Sequence, residues 1–373
     1  MWKFLKRGFA IVMVSLISLE MMSVIAVHAG LIAANIPSYT WPSFTPFWAA
    51  TDRNFGMWHP PDAHYNHVKS CYNLVYRTNS FGARDRERAK KSSLPRVIML
   101  GDSFVEGYGL GRTDRVSDRL EAKTGIPHLN FGTSGGFGPT QYLLQYETLA
   151  KTFDHRAVIV SILPDNDFFD DDPDRAARQN DPRYAPYFHA GAGKFGLKYR
   201  NAAETEHLET ANRQAWKRGL RSLTRSFSYA ANVIDHLQAQ IAYQSAAPHA
   251  PDASPTGYSG FYDFTPTQLA RLEYVLTRLI AALDDRPMVV VLIPRPNDLA
   301  RMRRAANVPL VNWLQAFLKS HTNVTLLDLS IAFSAHPNSS DLFNRCDGHW
   351  SPTGAALATK LLSATGLHGT LTN

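Results

Sequence analysis

Two short stretches, far apart in the chain, carry residue types that together could perform acyl transfer. Gly101-Asp102-Ser103-Phe104-Val105-Glu106-Gly107 directly follows an apolar run, and Asp347-Gly348-His349-Trp350-Ser351-Pro352 lies near the C-terminus. A serine just past a strand, behind a small residue, exposes its hydroxyl and aims backbone N–H groups at the same point. A histidine at a helix entrance can take that serine's proton, and an aspartate two residues earlier can fix the imidazole tautomer. On this reading Ser103 is a nucleophile, His349 its base and Asp347 the orienter of the base. Each stretch also has a plainer reading. Asp102 or Ser103 can be an ordinary helix cap, and His349 one packing or capping residue among 14 histidines.

The elements that must position these residues are visible as alternating patterns. Five short apolar runs, at 96–100, 127–131, 157–163, 288–294 and 324–329, are continuous rather than alternating. Strands of a parallel sheet, buried on both faces, have that pattern. Between them lie helical segments at 114–123 (closed by Gly125), 140–151 and 266–283, the last with Leu269, Leu272, Leu276, Leu279 and Leu283 on one face. Ser351 can cap, and Pro352 open, a final helix through Leu362. The alternation predicts an α/β fold, a three-layer doubly wound parallel sheet. Ser103 would then sit at the carboxyl edge of the sheet, where such folds bind ligands.

Two regions depart from the alternation. Residues 37–95 are aromatic, Pro-rich and His-containing without a clean period, and read as an extended lead-in packed on the main domain. Residues 170–262 carry the acidic group Asp170, Asp171, Asp172 and Asp174, then an arginine-rich helical pattern at about 203–245 and a loop-like stretch at 246–260. They read as an insertion over the ligand edge. The expected organisation is therefore a membrane or signal segment at 1–36, the lead-in at 37–95, and a catalytic domain at 96–373 with its insertion.

Four blocks in order resemble the SGNH/GDSL hydrolase family. Gly101 to Ser103 match its nucleophile block, and Asp347 with His349 its last. Asn130-Phe131-Gly132-Thr133-Ser134-Gly135 resembles the second block, and Pro164-Asp165-Asn166-Asp167 the third. The resemblance covers roughly 96–367 and leaves the insertion outside. It implies an SGNH/flavodoxin-like sheet and an acyl-enzyme at Ser103, with an oxyanion hole from the Ser103 N–H, the Gly135 N–H and the Asn166 amide. Two positions depart from the family pattern: Pro164 stands where glycine is usual, and one residue rather than two separates Asp347 from His349. The Asp-x-His-Trp form is similar to that of membrane-anchored bacterial members linked to exopolysaccharide O-acetylation, and Thr78-Asn79-Ser80-Phe81-Gly82-Ala83-Arg84-Asp85 resembles a segment common before their nucleophile block. The function this implies is a serine esterase removing acyl groups, O-acetyl above all, from an envelope or secreted polysaccharide. An O-acetyltransferase with the same triad, a lipid or thioester hydrolase, and a non-catalytic polysaccharide-binding component remain open.

Composition sets the surroundings. With 373 residues and 45% hydrophobic content, the chain can bury a substantial core. The formal charge of +7 is spread over short groups, which speaks against a nucleic-acid surface and suits an anionic membrane or polymer. Lys3, Lys6 and Arg7 precede an apolar stretch at 9–34, long enough to span a bilayer with the domain outside the cytoplasmic membrane. The competing reading is a signal peptide cleaved after Ala29, with secretion into the periplasm or beyond. Glu20 inside the stretch reads as a tolerated carboxylate. The two cysteines, Cys71 and Cys346, can form one disulfide, or remain separate buried thiols. The chemistry calls for no cofactor and no metal. His59, His64 and His67 have no familiar ligand spacing, nor does the 165–174 acidic run suit calcium. The aromatics Trp41, Phe44, Phe47, Trp48, Phe55 and Trp58 could stack on sugars, anchor at a membrane interface or pack on the domain.

Overall fold

A computed structural model describes residues 2–41, 47–48, 50–174, 184–191, 194–200, 215–246, 257–305 and 307–372. The chain opens with helix α1 (Trp2–His28), whose Phe4–His28 portion is long and apolar enough to cross a membrane. Two antiparallel hairpins follow, β1 (Ala50–Asp52) with β2 (Gly56–Trp58), and β3 (His64–Lys69) with β4 (Tyr72–Arg77). The main domain then alternates. It runs β5 (Val97–Leu100), α2 (Ser103–Glu106), α3 (Val116–Thr124), β6 (His128–Asn130), α4 (Pro139–Thr148), β7 (Ala157–Ile162) and α5 (Pro164–Asp170). A third hairpin, β8 (Ala185–Gly191) with β9 (Lys194–Arg200), leads to α6 (Ala215–Phe227) and α7 (Tyr229–Ala246). The alternation resumes with α8 (Pro266–Ala281), β10 (Met288–Leu292), α9 (Pro296–Met302), α10 (Pro309–Leu318), β11 (Val324–Asp328), α11 (Ser330–Ala335), α12 (Pro352–Ser363) and α13 (Gly369–Thr372).

The central sheet has the order β11-β10-β7-β5-β6, every neighbouring pair parallel. Numbered by chain order within the sheet this is 2-1-3-4-5, the flavodoxin-like doubly wound arrangement, whose switch point lies between β5 and β7. Successive residues of each strand feed opposite faces. Ile98, Leu100, Val158, Val160, Val290 and Leu292 pack with α4, α8 and α10 on one side. Val97, Met99, Ile159, Val289 and Val291 pack with α3, α9, α11 and α12 on the other. Burial on both faces is why these strands read as unbroken apolar runs.

The sequence expectation of a three-layer α/β sheet holds, with strand ends one or two residues shorter. Gly125 closes α3 with a left-handed φ of 71°, and the Ser351 hydroxyl accepts from the Gly354 N–H at the start of α12. Two expectations need correction. The 37–95 stretch is not merely extended, since it forms both N-terminal hairpins; the polar, half-buried HYNHVK and YNLVYR strands hide their pairing. The insertion is not helical alone, since β8 and β9 precede its helices. The parts of the 203–245 and 246–260 expectations at 203–214 and 247–256 lie outside the described residues, as does Phe44.

Candidate functional site

Three adjacent parallel strands, β6, β5 and β7, release the loops that carry Gly135, Ser103 and Asn166, whereas Asp347 and His349 come from the loop before α12. Ser103 is the first residue of α2, directly after the Gly101-Asp102 turn that follows β5. Asp102 caps this short helix, its Oδ1 accepting from the Phe104 N–H at 3.0 Å. Of the two residues that could cap, it is thus Asp102 that does so, which leaves the Ser103 hydroxyl to other partners. The turn needs glycine, because a Cβ on Gly101 would collide with the Val105 side chain. Ser103 itself is 9% exposed, enough for its Oγ to reach His349 Nε2 at 2.9 Å.

His349 hangs from the loop before α12. Gly348, at φ 75°, takes the left-handed conformation that lets a single residue separate aspartate from histidine. The Asp347 carboxylate folds back so that Oδ1 accepts from the His349 backbone N–H at 3.1 Å and lies 3.4 Å from the ring Nδ1. That ring contact is longer than a formed hydrogen bond. Tyr108 stacks on the imidazole with centroids 4.3 Å apart, Phe104 lies at 5.0 Å, and the buried Trp350 ring packs edge-on to Phe104. These rings fix the plane of the His349 imidazole.

The electrostatics suit the three roles. Burial lowers the His349 imidazole below its ordinary value, against the opposing pull of Asp347, so the ring is neutral and able to accept a proton near pH 7. Burial would raise the Asp347 carboxyl, but His349, Lys69 and Tyr72 together hold it well below the carboxylate range. Asp347 therefore faces the base as a full negative charge.

Tyr72 and Lys69 are the participants that the sequence reading missed. The Tyr72 hydroxyl donates to Asp347 Oδ2 at 2.7 Å, and Lys69 Nζ lies 3.8 Å from the same oxygen. Both come from the β3–β4 hairpin of the lead-in. Burial pushes the Tyr72 hydroxyl far up, so it stays a donor. The nearest signal was its neighbour Cys71: the structure joins Cys71 to Cys346 with Cα atoms 5.9 Å apart, which places the hairpin against the Asp347 loop.

Gly135 lies on the loop after β6 at φ 102°, and Asn166 in the first turn of α5 after β7. Gly132 lets the β6 loop press on α2, since a Cβ there would collide with the Glu106 backbone. Glu106 then grips the loop. Its fully buried carboxylate accepts from the Ser134 N–H at 2.8 Å and from the Ser134 hydroxyl, and from Trp48 Nε1 at 3.1 Å. Burial works against the charge, but His59, Arg84 and Ser134 bring the Glu106 carboxyl down to about 2. Pro164 does no harm to α5. It opens the helix, where its missing N–H costs nothing, and the Asn166 amide donates to Asp170 Oδ2 at 2.7 Å.

The other singled-out residues have structural partners. His59 is buried between Gly82, Thr133 and Glu106, and His67 meets the Tyr72 hydroxyl at 3.2 Å. His64 is exposed at the start of β3. Asp165 pairs with Arg295 at 2.8 Å, and Asp171 accepts from Thr140. Phe47, Phe55 and Trp58 are buried and Trp48 is half-buried, so these four pack on the domain, whereas Trp41 is exposed.

No family model and no curated protein matches this chain. Among solved structures it is similar to a lipase/acylhydrolase from Enterococcus faecalis, at 14% identity over 74% of this chain and 97% of that one, with a TM-score of 0.39. It is also similar to a member of the lipolytic protein G-D-S-L family from Veillonella parvula, at 12% identity over 72% and 97% of the two chains, with a TM-score of 0.36. Likeness at that level carries no argument here, so the functional reading rests on the site's own geometry.

Proposed function

We propose that the chain is a serine esterase of the SGNH type, acting on acyl esters through an acyl-enzyme at Ser103. The observation that carries this is the 2.9 Å contact of Ser103 Oγ with His349 Nε2, backed by an ionised Asp347, at the carboxyl edge of the sheet. His349 Nε2 takes the Ser103 proton as Oγ forms its bond to the ester carbonyl carbon. The resulting oxyanion is received by the Ser103 and Gly135 N–H groups and the Asn166 amide. When the tetrahedral species collapses, the carbon–alkoxide bond breaks and His349 returns the proton to the leaving oxygen. A water, deprotonated by the same imidazole, then releases the acid from Ser103.

The Asp-x-His-Trp form and the N-terminal helix support a substrate class: O-acetyl groups on an envelope or secreted polysaccharide, met outside the cytoplasmic membrane. Retention of α1 fits this better than cleavage after Ala29. The Glu20 carboxylate accepts from the Tyr229 and Ala230 N–H groups at 2.7 and 3.1 Å and from the Ser228 hydroxyl at 2.8 Å. Glu20 is thus the cap of α7 and more than a tolerated charge, and cleavage would strip it away.

The test is release of nitrophenol from nitrophenyl acetate by the full chain in detergent, beside Ser103→Ala and His349→Ala. Turnover that disappears in both variants, with phosphonate labelling of Ser103 in the parent, supports the reading. Equal inactivity of all three, with no labelling, rejects it. Adding soluble glycans as acceptors then separates hydrolysis from transfer.

A further inference from the structure

We propose that α6 and α7 form a platform that lies on an anionic lipid surface beside α1, fixing the height and tilt of the Ser103 site above the bilayer. The proposal goes beyond the esterase reading and rests on α1 being embedded in the membrane.

Three observations converge on this face. First, α7 runs against the last turns of α1. Besides the Glu20 cap, His28 Nε2 meets the Tyr229 hydroxyl at 3.1 Å, and Val27, Ala34, Tyr229 and Val233 bury one another in a small separate core. If α1 is embedded, the exposed side of α7 is therefore brought to the membrane boundary by contacts already present.

Second, that side is apolar. Ile234, Leu237 and Ile241 follow helical spacing on α7 and are all exposed, Ile241 at 64%. On α6 the residues Leu220, Leu223 and Phe227 share a helical stripe, of which Leu220 is 54% and Phe227 44% exposed. A stripe of this kind normally faces a core, and among the described residues Leu220 and Phe227 remain exposed. It continues into the chain leaving α1, because Tyr39 and Trp41, themselves exposed, set their rings 6.3 and 6.2 Å from Phe227. Tyrosine and tryptophan are the side chains favoured at the headgroup level.

Third, the charge beside the stripe has one sign. The α6 sequence contains Lys217, Arg218, Arg221 and Arg225 and no acidic residue. Arg221 and Arg225 share Asp235 of α7, at 2.7 and 3.0 Å, so one carboxylate offsets two guanidinium groups and ties the two helices together. A basic amphipathic helix of low overall hydrophobicity, with an aromatic and leucine face, has the pattern of helices that lie in the plane of an anionic interface.

The test uses the full chain reconstituted in phosphatidylcholine vesicles with or without phosphatidylglycerol. A single environment-sensitive label is attached at Leu220→Cys, Ile241→Cys, Val14→Cys or Leu94→Cys, all exposed positions, the native cysteines being paired. Brominated lipids report depth. Expected are deep quenching at position 14, quenching at 220 and 241 at about 5–10 Å into the headgroup boundary that strengthens with phosphatidylglycerol, and none at 94. Quenching at 14, with 220 and 241 behaving like 94, overturns the platform and leaves the anchor standing. No quenching at 14 removes the anchor reading and the platform with it. Quenching at 220 and 241 that ignores phosphatidylglycerol rejects an anionic surface as the partner. Unquenched Leu220→Cys chains that cross-link to one another would assign the face to a second copy and overturn the proposal.

Discussion

Replacing Asp347 with asparagine keeps the shape of the orienting side chain and removes its charge. In the proposed mechanism His349 becomes an imidazolium at each transition state, with Asp347 Oδ1 3.4 Å from its Nδ1. Two unit charges at that separation, at an effective dielectric near 20, attract by about 5 kcal/mol. The amide forfeits most of this and can also hold the wrong tautomer, so kcat for an acetyl ester should fall by about 10³ to 10⁴. Because Asp347 raises the His349 imidazole against its burial, the acid limb of kcat/KM should also move to lower pH in the variant. The variant removes the carboxylate that Lys69 pairs with, so a thermal melt must accompany the kinetics to separate misfolding from chemistry. A folded Asp347→Asn protein whose kcat falls less than about tenfold, or whose acid limb moves upward, would refute the assignment of Asp347 as the orienter.

Three further outcomes are expected. Asn166→Ala should lower kcat by about 10² to 10³ with little change in melting temperature, as loss of one oxyanion donor does; unchanged kcat would remove Asn166 from the site. Replacing Cys71 and Cys346 together by serine should lower stability by about 2–5 kcal/mol in denaturant titration, and reduce turnover more than a distant lesion of equal cost, because Tyr72 and Asp347 lose their tether. The third concerns Asp102, which burial pushes up to about 7. A carboxyl raised in the folded state stabilises below its unfolded value, and that contribution is lost as pH rises through about 7, at about 1.4 kcal/mol per pH unit across the window. Asp102→Asn should therefore melt higher relative to the parent at about pH 8 than at about pH 5; a difference independent of pH would contradict the buried, protonated carboxyl.

How legible these features were depended on what each residue answers to. The sheet could be read because β5, β7 and β10 are buried on both faces and admit little but Val, Ile, Leu and Met. Ser103 and His349, which the structure brings to 2.9 Å, could be singled out because each stands in a distinctive local setting of glycine, a cap and a helix entrance. The lead-in could not. Its strands are half-exposed ribbons whose partner is the adjacent strand, so His64, Tyr65, Asn66 and His67 show no apolar period. Tyr72 escaped because its role depends on a pairing across 275 residues, which no local pattern encodes. Glu20 escaped for the same reason, its partners being the backbone of a helix more than two hundred positions away.

The pair Cys71 and Cys346 also bears on how the protein is made. Only two cysteines exist in the whole chain, so just one intramolecular bridge can ever form. Oxidation needs no shuffling among wrong partners, and a bare oxidant suffices where a multi-cysteine protein would require an isomerase. Cys346 is followed at once by Asp347. A compartment that keeps thiols reduced leaves the tether beside Asp347 open, and an oxidising one closes it, so the position of the β3–β4 hairpin against the Asp347 loop is tied to redox surroundings.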